Sequence, residues 1–410
     1  MKEKQRHFPD WLEPWIPESP LYLGILFMTL NAQLGMCDLV QLSLLENLLT
    51  ASGMLILLYY ALQGWPDVKS MFLCGIGYGI IGLAALRIRN FHLLITATTV
   101  LAMRNGDMKK ALRLIFYWNA LFLLGNILFS LPMHFSGIRT IYSDDARKYW
   151  ALITRTSRFR FGYRSSSAPG PSLFQMICIW CYLNFGSVRK RDAAGMVLLS
   201  CIFYFLCANK MSLLLTFAVI LLVLVYQRRQ ACGNPLLHTA AMWTPPVLSV
   251  FLIGVMVLYP NWPKVIWELN SLLTNRLIKS TAWYEYRGLT LFGQSRAGIQ
   301  PPTLLDRVPD TSALDCLYEN MGVWMGIAPL CVILICLWLL AKRKRTADSV
   351  MILIWALFSI AECDGLNCYV FFPLLLTAGA LPNVQPEKPD FRIWKKLGQS
   401  LVQAVRPHHQ

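Results

Sequence analysis

The stretch Arg155-Thr-Ser-Arg-Phe-Arg-Phe-Gly-Tyr-Arg164 packs four arginines into ten residues and interleaves them with Phe159, Phe161 and Tyr163. A guanidinium presents a planar fork of donors that matches phosphate oxygens two at a time, and aromatic rings sit well at a lipid–water interface. Arg158, Arg160, Tyr163 and Arg164 are therefore candidate ligands for an anionic partner embedded in a membrane. The competing reading is that these arginines only meet lipid headgroups.

A second set of reactive types lies between residues 261 and 321, where apolar patches alternate with charges of both signs. Asp315 and Glu319 stand one helical turn apart, a spacing that serves acid–base work or an ordinary solvated face. Arg276 and Arg287 supply positive charge in the same segment, and Lys210 is a charge standing between two apolar runs. Asp144-Asp145 could chelate a divalent cation, but next to Arg147 and Lys148 it reads as a solvated turn. The six histidines are scattered and no zinc or hydrolase constellation appears. Neither a metal nor a cofactor is called for.

These residues need a scaffold, and composition defines it. At 56% hydrophobic and 15% charged residues, with mean hydropathy +0.46, a chain of 410 residues is too apolar for a soluble fold. The expectation is an all-α, polytopic membrane helix bundle forming a single integral membrane domain over 1–410. Apolar runs at about 21–38, 44–62, 70–86, 91–104, 112–132, 172–187, 193–208, 211–227, 244–260, 322–341, 348–363 and 367–382 predict about twelve transmembrane helices. The run at 91–104 is the shortest. The net charge of +16 is spread over short loops, which points to an oriented bundle and away from nucleic acid.

Alternating the passes from a cytoplasmic amino terminus puts Arg104, Lys109, Lys110 and Arg113 inside. Arg189 to Arg191, Arg228-Arg229, Lys342 to Arg345 and a basic tail at 383–410 follow them there. Both termini are then cytoplasmic. Two long loops, 133–171 and 261–321, fall outside, and the second is long enough to fold over the bundle as a cap. An arginine in hydrocarbon would cost roughly 2.5–3.5 kcal/mol, so the 155–164 run must be loop.

The amino-terminal prolines interrupt any signal-peptide core, and Trp11, Trp15 and Ile16 suit an interfacial segment. Gly75 and Gly79 are spaced for close helix–helix approach. Most of the twelve cysteines fall in apolar runs, where Cys178 and Cys181 read as packing; Cys363 and Cys368 could pair across a short turn.

Within this frame, Asn275-Arg276, Leu291-Phe292-Gly293, and Leu314-Asp315-Cys316-Leu317-Tyr318 leading to Gly322 resemble the large-outer-loop pattern of the Wzy-like O-antigen and capsular polysaccharide polymerases. Phe161-Gly162-Tyr163 is similar to the family's Phe-Gly-aromatic element, and Glu362 with Asn367 to its Glu-then-Asn ending. The resemblance covers roughly 155–380. It departs from the pattern where His-Pro-Asn is replaced by Ser165-Ser-Ser-Ala-Pro169, Ser-Arg by Asn209-Lys210-Met211-Ser212, and Asp-Asn by Asp315-Cys316.

The resemblance implies a GT-C-like bundle in the bacterial cytoplasmic membrane that joins oligosaccharide repeat units carried on undecaprenyl pyrophosphate into polysaccharide. Its partners would be that lipid-linked oligosaccharide, membrane lipid and, as a candidate, a chain-length regulator protein. Arg276, Asp315, Glu319 and Glu362 would be catalytic; Arg158, Arg160, Tyr163, Arg164, Lys210, Arg287 and Tyr318 would bind substrate. Asp315 is the first candidate to activate the acceptor hydroxyl. Tyr163, Tyr318 and Trp283 offer sugar-stacking surfaces or interfacial anchors. The alternatives are an O-antigen ligase-type transferase, for which a loop histidine is missing, and a transporter of lipid-linked or polyanionic cargo.

Overall fold

Apolar runs of about twenty residues in lipid must satisfy their own backbone polar groups, which leaves the helix as the available solution. The computed structural model describes residues 19–38, 43–136, 142–143, 158–159, 161–165, 168–207, 209–228, 234–261, 268, 276–295 and 314–382. In chain order the α-helices are α1 Pro20–Met36, α2 Ser43–Leu62, α3 Val68–Ile88, α4 His92–Met103, α5 Met108–Phe135, α6 Pro169–Leu183, α7 Lys190–Cys207, α8 Lys210–Gln227 and α9 Pro235–Leu258. After these come α10 Arg276–Arg287, α11 Leu317–Asn320, α12 Ile327–Lys342 and α13 Thr346–Ala361. A π-helical turn, Met321–Met325, joins α11 to α12, and two 3-10 segments, Cys363–Leu366 and Phe372–Ala380, close the described chain. Among the described residues the β-structure is one antiparallel ribbon pairing Tyr142–Ser143 with Arg158–Phe159, and one bridge between Cys37 and Tyr163.

The helix starts are readable. Proline opens α1, α6 and α9, where its missing N–H is no loss. Asp67 caps α3 by accepting from the Ser70 N–H at 2.6 Å, and Asn209 caps α8 by accepting from Ser212 at 3.0 Å. Helices α2, α3, α5, α8 and α9 are long and apolar enough to cross a membrane, while α1, α4, α12 and α13 are shorter apolar helices. The chain is a helical, multi-pass membrane protein.

Burial separates centre from periphery. Most side chains of α6 and α13 are buried, as are most of those in the 3-10 segment after Phe371. By contrast α2, α3, α7, α8 and α9 turn Leu55, Phe72, Phe205, Leu221 and Val250 outward. An apolar helix buried all round is a core helix; one with an exposed apolar face needs lipid against it.

Contacts between helix ends sort the bundle into two faces. On one, the Asp107 N–H donates to Tyr22 Oη, Arg104 Nη1 to the Ala61 carbonyl, Gln227 to the Val188 carbonyl, and the Tyr182 hydroxyl to Asp348 at 2.9 Å. His238 and Ser349 meet there at 2.8 Å. On the other, Arg164 meets the end of α1 and Arg276 meets the end of α13. The first face carries Arg104, Lys109, Arg189, Lys190, Arg191 and the Lys342–Arg345 run. It is the strongly basic one.

The structure departs from expectation at several places. The run at 367–382 is not an α-helix: Pro373 sits in the first turn of its 3-10 segment, and Thr99 and Gln175 bond Tyr369 while Thr96 bonds Leu366 and Cys368. Those side chains from α4 and α6 fix an irregular backbone inside the bundle, where it needs no lipid contact. Gly75 and Gly79 do not mediate close approach, because an added Cβ at either would meet open space. Cys363 and Cys368 both remain thiols and are not joined in a disulfide. The first long loop starts after Phe135 and ends before Pro169. The amino-terminal segment, Asp144-Asp145, Arg155, Arg160, Asn275 and the tail at 383–410 lie outside the described residues.

Candidate active site

Helix α10 opens with Arg276, a cation at the positive end of a helix dipole, which is the unfavourable end. Two neighbours hold it there. Its Nη1 donates to the Ala361 carbonyl at the end of α13, and its Nε lies 3.4 Å from Asp315 Oδ2. Asp315 precedes α11 and Glu319 lies within it, so the i, i+4 pair arrives together. The chain turns directly from Ala361 into Glu362, whose carboxyl feels the same guanidinium, and then into Asp364, which interacts with Glu362, Asp315 and His92.

Their environments differ. Glu319 is 1% exposed, and its Oε2 accepts the Ser280 hydroxyl. Burial pushes its carboxyl up to about 7, against the lowering effects of the Ser280 bond and the Arg276 charge. Glu362 is partly exposed; burial pushes it up to about 8, with Arg276 opposing and the Asp364 and Asp315 charges adding. Asp364 is exposed at the surface, yet the protein packed around it still raises its carboxyl, which puts it at the rim of this recess. Arg276 and Asp315 are 23% and 36% exposed. The recess therefore offers a guanidinium and carboxyls that a solute can reach, with Glu319 beneath.

His92 joins the recess from α4. Thr96, one turn further along α4, donates to the Leu366 carbonyl at 2.7 Å, which brings His92 level with Cys363 and Asp364, and the Asp364 charge is felt at His92. The signal in the sequence was the polar run Arg87, Arg89, Asn90, His92 between two apolar runs. Ser280 had no such signal. Its role follows from standing four residues after Arg276, on the same face of α10.

The Leu291-Phe292-Gly293 element is a structural clamp. The Thr290 N–H donates to the Gly322 carbonyl and Gln294 N–H to that of Trp324, while Ile327 and Ala328 donate to the carbonyls of Thr290 and Leu291. Gly293 and Gly326 both take positive φ, +82° and +108°. An added Cβ at Gly326 would stand 2.6 Å from the Leu291 carbonyl oxygen. The clamp packs on the π turn, which the Gly326 N–H closes on the Met321 carbonyl, directly after the α11 turn that carries Glu319.

The second arginine region is built differently. Asp38 N–H donates to the Gly162 carbonyl and Arg164 N–H to that of Met36, sealing the Cys37–Tyr163 bridge. Arg164 Nε donates to the Cys37 carbonyl at 3.2 Å, and its Nη2 lies 3.7 Å from Glu46. Tyr163 is fully buried, its hydroxyl beside Asn126 and Ser172, with burial pushing it up to about 12.

Several expected substrate ligands thus stand elsewhere. Tyr163 cannot offer a stacking face, and neither can Tyr318, fully buried with its hydroxyl on the Ala356 carbonyl and its ring edge-on to Trp355. Trp283 is buried against Trp324 at 4.9 Å. Arg287 is exposed at the far end of α10, over the Tyr286 ring and about 16 Å of helix from Arg276. Lys210 is exposed in the first turn of α8. Near it a small surface crevice lined by Gly170, Ser200, Asn209, Ser212 and Thr216 shares no residue with the Arg276 recess. Arg158 lies in the short ribbon. Among the described residues, no three of His, Cys, Asp and Glu are grouped to hold a metal ion.

No known protein family, no curated protein and no solved structure matches this chain.

Proposed function

We propose that the chain is a membrane glycosyltransferase of the polysaccharide-polymerase kind. It would join repeat units carried on undecaprenyl pyrophosphate at the outer face of a bacterial cytoplasmic membrane, with the basic face and both termini cytoplasmic. The observation that carries this reading is the convergence of Arg276, Asp315, Glu319 and Glu362, from three separated segments, around one recess. The positive-inside tendency supports the orientation, since the face opposite the recess holds the basic clusters.

In the reaction, the bond between the donor's anomeric carbon and its phosphate oxygen breaks as the acceptor hydroxyl forms the new glycosidic bond. The electron pair leaves with the lipid pyrophosphate, and the hydroxyl proton passes to a carboxylate. Arg276 stabilises the leaving charge; a charge pair near 4 Å at an effective dielectric of about 20 contributes about 4 kcal/mol before desolvation. Four ionised carboxyls would repel a pyrophosphate. Raised carboxyls lessen that obstacle, because near neutral pH Glu362 stays mostly protonated and Glu319 about half so, which cuts the negative charge around Arg276. Glu362 reaches the recess, and a carboxyl raised to about 8 is a stronger base when ionised than an ordinary one. Asp315, held on Arg276 Nε, then serves to orient the guanidinium.

His92 favours one second reading, a ligase-type lipid-linked transferase, since it places an imidazole beside the carboxyls. Purified protein in detergent given lipid-linked repeat units separates the two. A ladder of products spaced by one repeat unit supports the polymerase; a single transfer to a lipid A-type acceptor supports the ligase; no transfer by folded protein contradicts both.

A further inference from the structure

Ser280 stands between the two halves of the recess. Its hydroxyl oxygen meets Glu319 Oε2 and lies 3.2 Å from the Arg276 carbonyl oxygen, and both Ser280 and Glu319 are 1% exposed. A serine hydroxyl has one hydrogen to give. With Glu319 ionised, that hydrogen goes to the carboxylate, leaving the Arg276 carbonyl without it. With Glu319 protonated, its own O–H donates to Ser280 Oγ, and the Ser280 hydrogen is released to the Arg276 carbonyl. The Arg276 carbonyl accepts the Ser280 N–H within α10 in either state, and protonation of Glu319 adds the Ser280 hydroxyl as its second donor.

We propose that Glu319 is a positioning residue that acts on Arg276 through Ser280: ionised, it holds the guanidinium's charge within the protein; protonated, it braces the first turn of α10 and leaves that charge to an anionic ligand. This rests on the reading of Arg276 as the group that meets the pyrophosphate. The titratable groups around Glu319 are Arg276 and Asp315 at the recess, with Cys316 on its own short segment. Glu319 is thereby withdrawn from direct contact with substrate, a place that its burial already denies it. The switch lies in the physiological range because burial brings this carboxyl up to about 7.

The test is binding of inorganic pyrophosphate to purified protein in detergent between pH 6 and 8, paired with thermal unfolding over pH 5 to 8. Wild-type affinity should tighten by about tenfold as pH falls through about 7, the size of one unit of coupled pKa. Glu319→Gln should lose the step near pH 7 and bind at the tight, low-pH level until Glu362 ionises near pH 8. Ser280→Ala, by stripping the carboxylate of its donor, should move the midpoint to higher pH. A Glu319→Gln protein that keeps the wild-type pH dependence and midpoint overturns the proposal.

The unfolding arm needs no ligand. A carboxyl raised from 4.5 to about 7 on folding contributes stability at low pH that is lost as pH rises through about 7. Glu319→Gln should lessen the decline below about pH 7, and Glu362→Gln should lessen it throughout and remove the part between about 7 and 8. Parallel wild-type and Glu319→Gln curves also overturn the coupling. If the curves flatten and Ser280→Ala moves the decline to higher pH while pyrophosphate binds no variant, the link between Glu319 and Ser280 stands and the reading of Arg276 as the pyrophosphate-binding group is contradicted.

Discussion

Arg164 and Arg276 begin from the same chemistry and end in different employment. Each donates to a backbone carbonyl at a helix end and pairs with one carboxylate. Around Arg164 the described neighbours are committed: Glu46 is its partner, Tyr163 is buried, and the Phe161–Gly162 turn, at φ +47° and +76°, leads into the bridge to Cys37. Around Arg276 the carboxyls outnumber the cation, and burial has raised Glu319, Glu362 and Asp364. A region that needs its arginine for architecture neutralises it once. A region that surrounds one arginine with surplus titratable groups keeps a capacity to exchange protons and ligands.

The contrast between the two regions breaks hardest at Tyr163. Tyr163→Ala empties a fully buried aromatic site and should destabilise the protein by about 3–5 kcal/mol, while the activity of each folded molecule persists. A loss of specific activity without loss of stability would move Tyr163 into the site. Arg276→Ala should cost about 2–3 kcal/mol, below the range for a fully buried pair because the side chain is 23% exposed, and should abolish transfer. Retained transfer would reduce Arg276 to a strut like Arg164. Gly326→Ala, forced against the Leu291 carbonyl at positive φ, should cost about 1–3 kcal/mol and loosen α11. Arg164→Ala, at 49% exposure with a 3.7 Å pair, should cost at most about 1 kcal/mol in unfolding assays.

The pH profile sharpens the same contrast. With Glu362 as base, the transfer rate should rise as pH increases through about 8, and Glu362→Gln should lose both the rate and the rise. Arg164→Lys should leave the profile unmoved. A profile that survives Glu362→Gln would transfer the role to Asp315 or His92.

What could be read in the sequence divides along physical lines. Helices came through because hydrophobic length is a local property: the run at 91–104 is α4 despite its twelve residues. The pairing of helix ends into two faces followed from charge alternation for the same reason. The end of the bundle did not come through, since residues 363–380 take their shape from Thr96, Thr99 and Gln175, side chains far away in the chain. Arg276, Asp315, Glu319 and Glu362 could be named from sequence as chemically capable types. Tyr163 and Tyr318 looked equally capable, and only packing distinguishes a ring on a surface from one in a core. His92 and Ser280 were hidden because their significance is purely spatial.

The most direct test of the account sets the two arginines side by side. Purified wild-type, Arg276→Lys and Arg164→Lys proteins, at matched folding in detergent, receive lipid-linked repeat units, and chain extension is read as a ladder. Lysine keeps the charge and loses the fork. The account predicts a full ladder for wild type and Arg164→Lys and almost none for Arg276→Lys; equal ladders from both variants would contradict it.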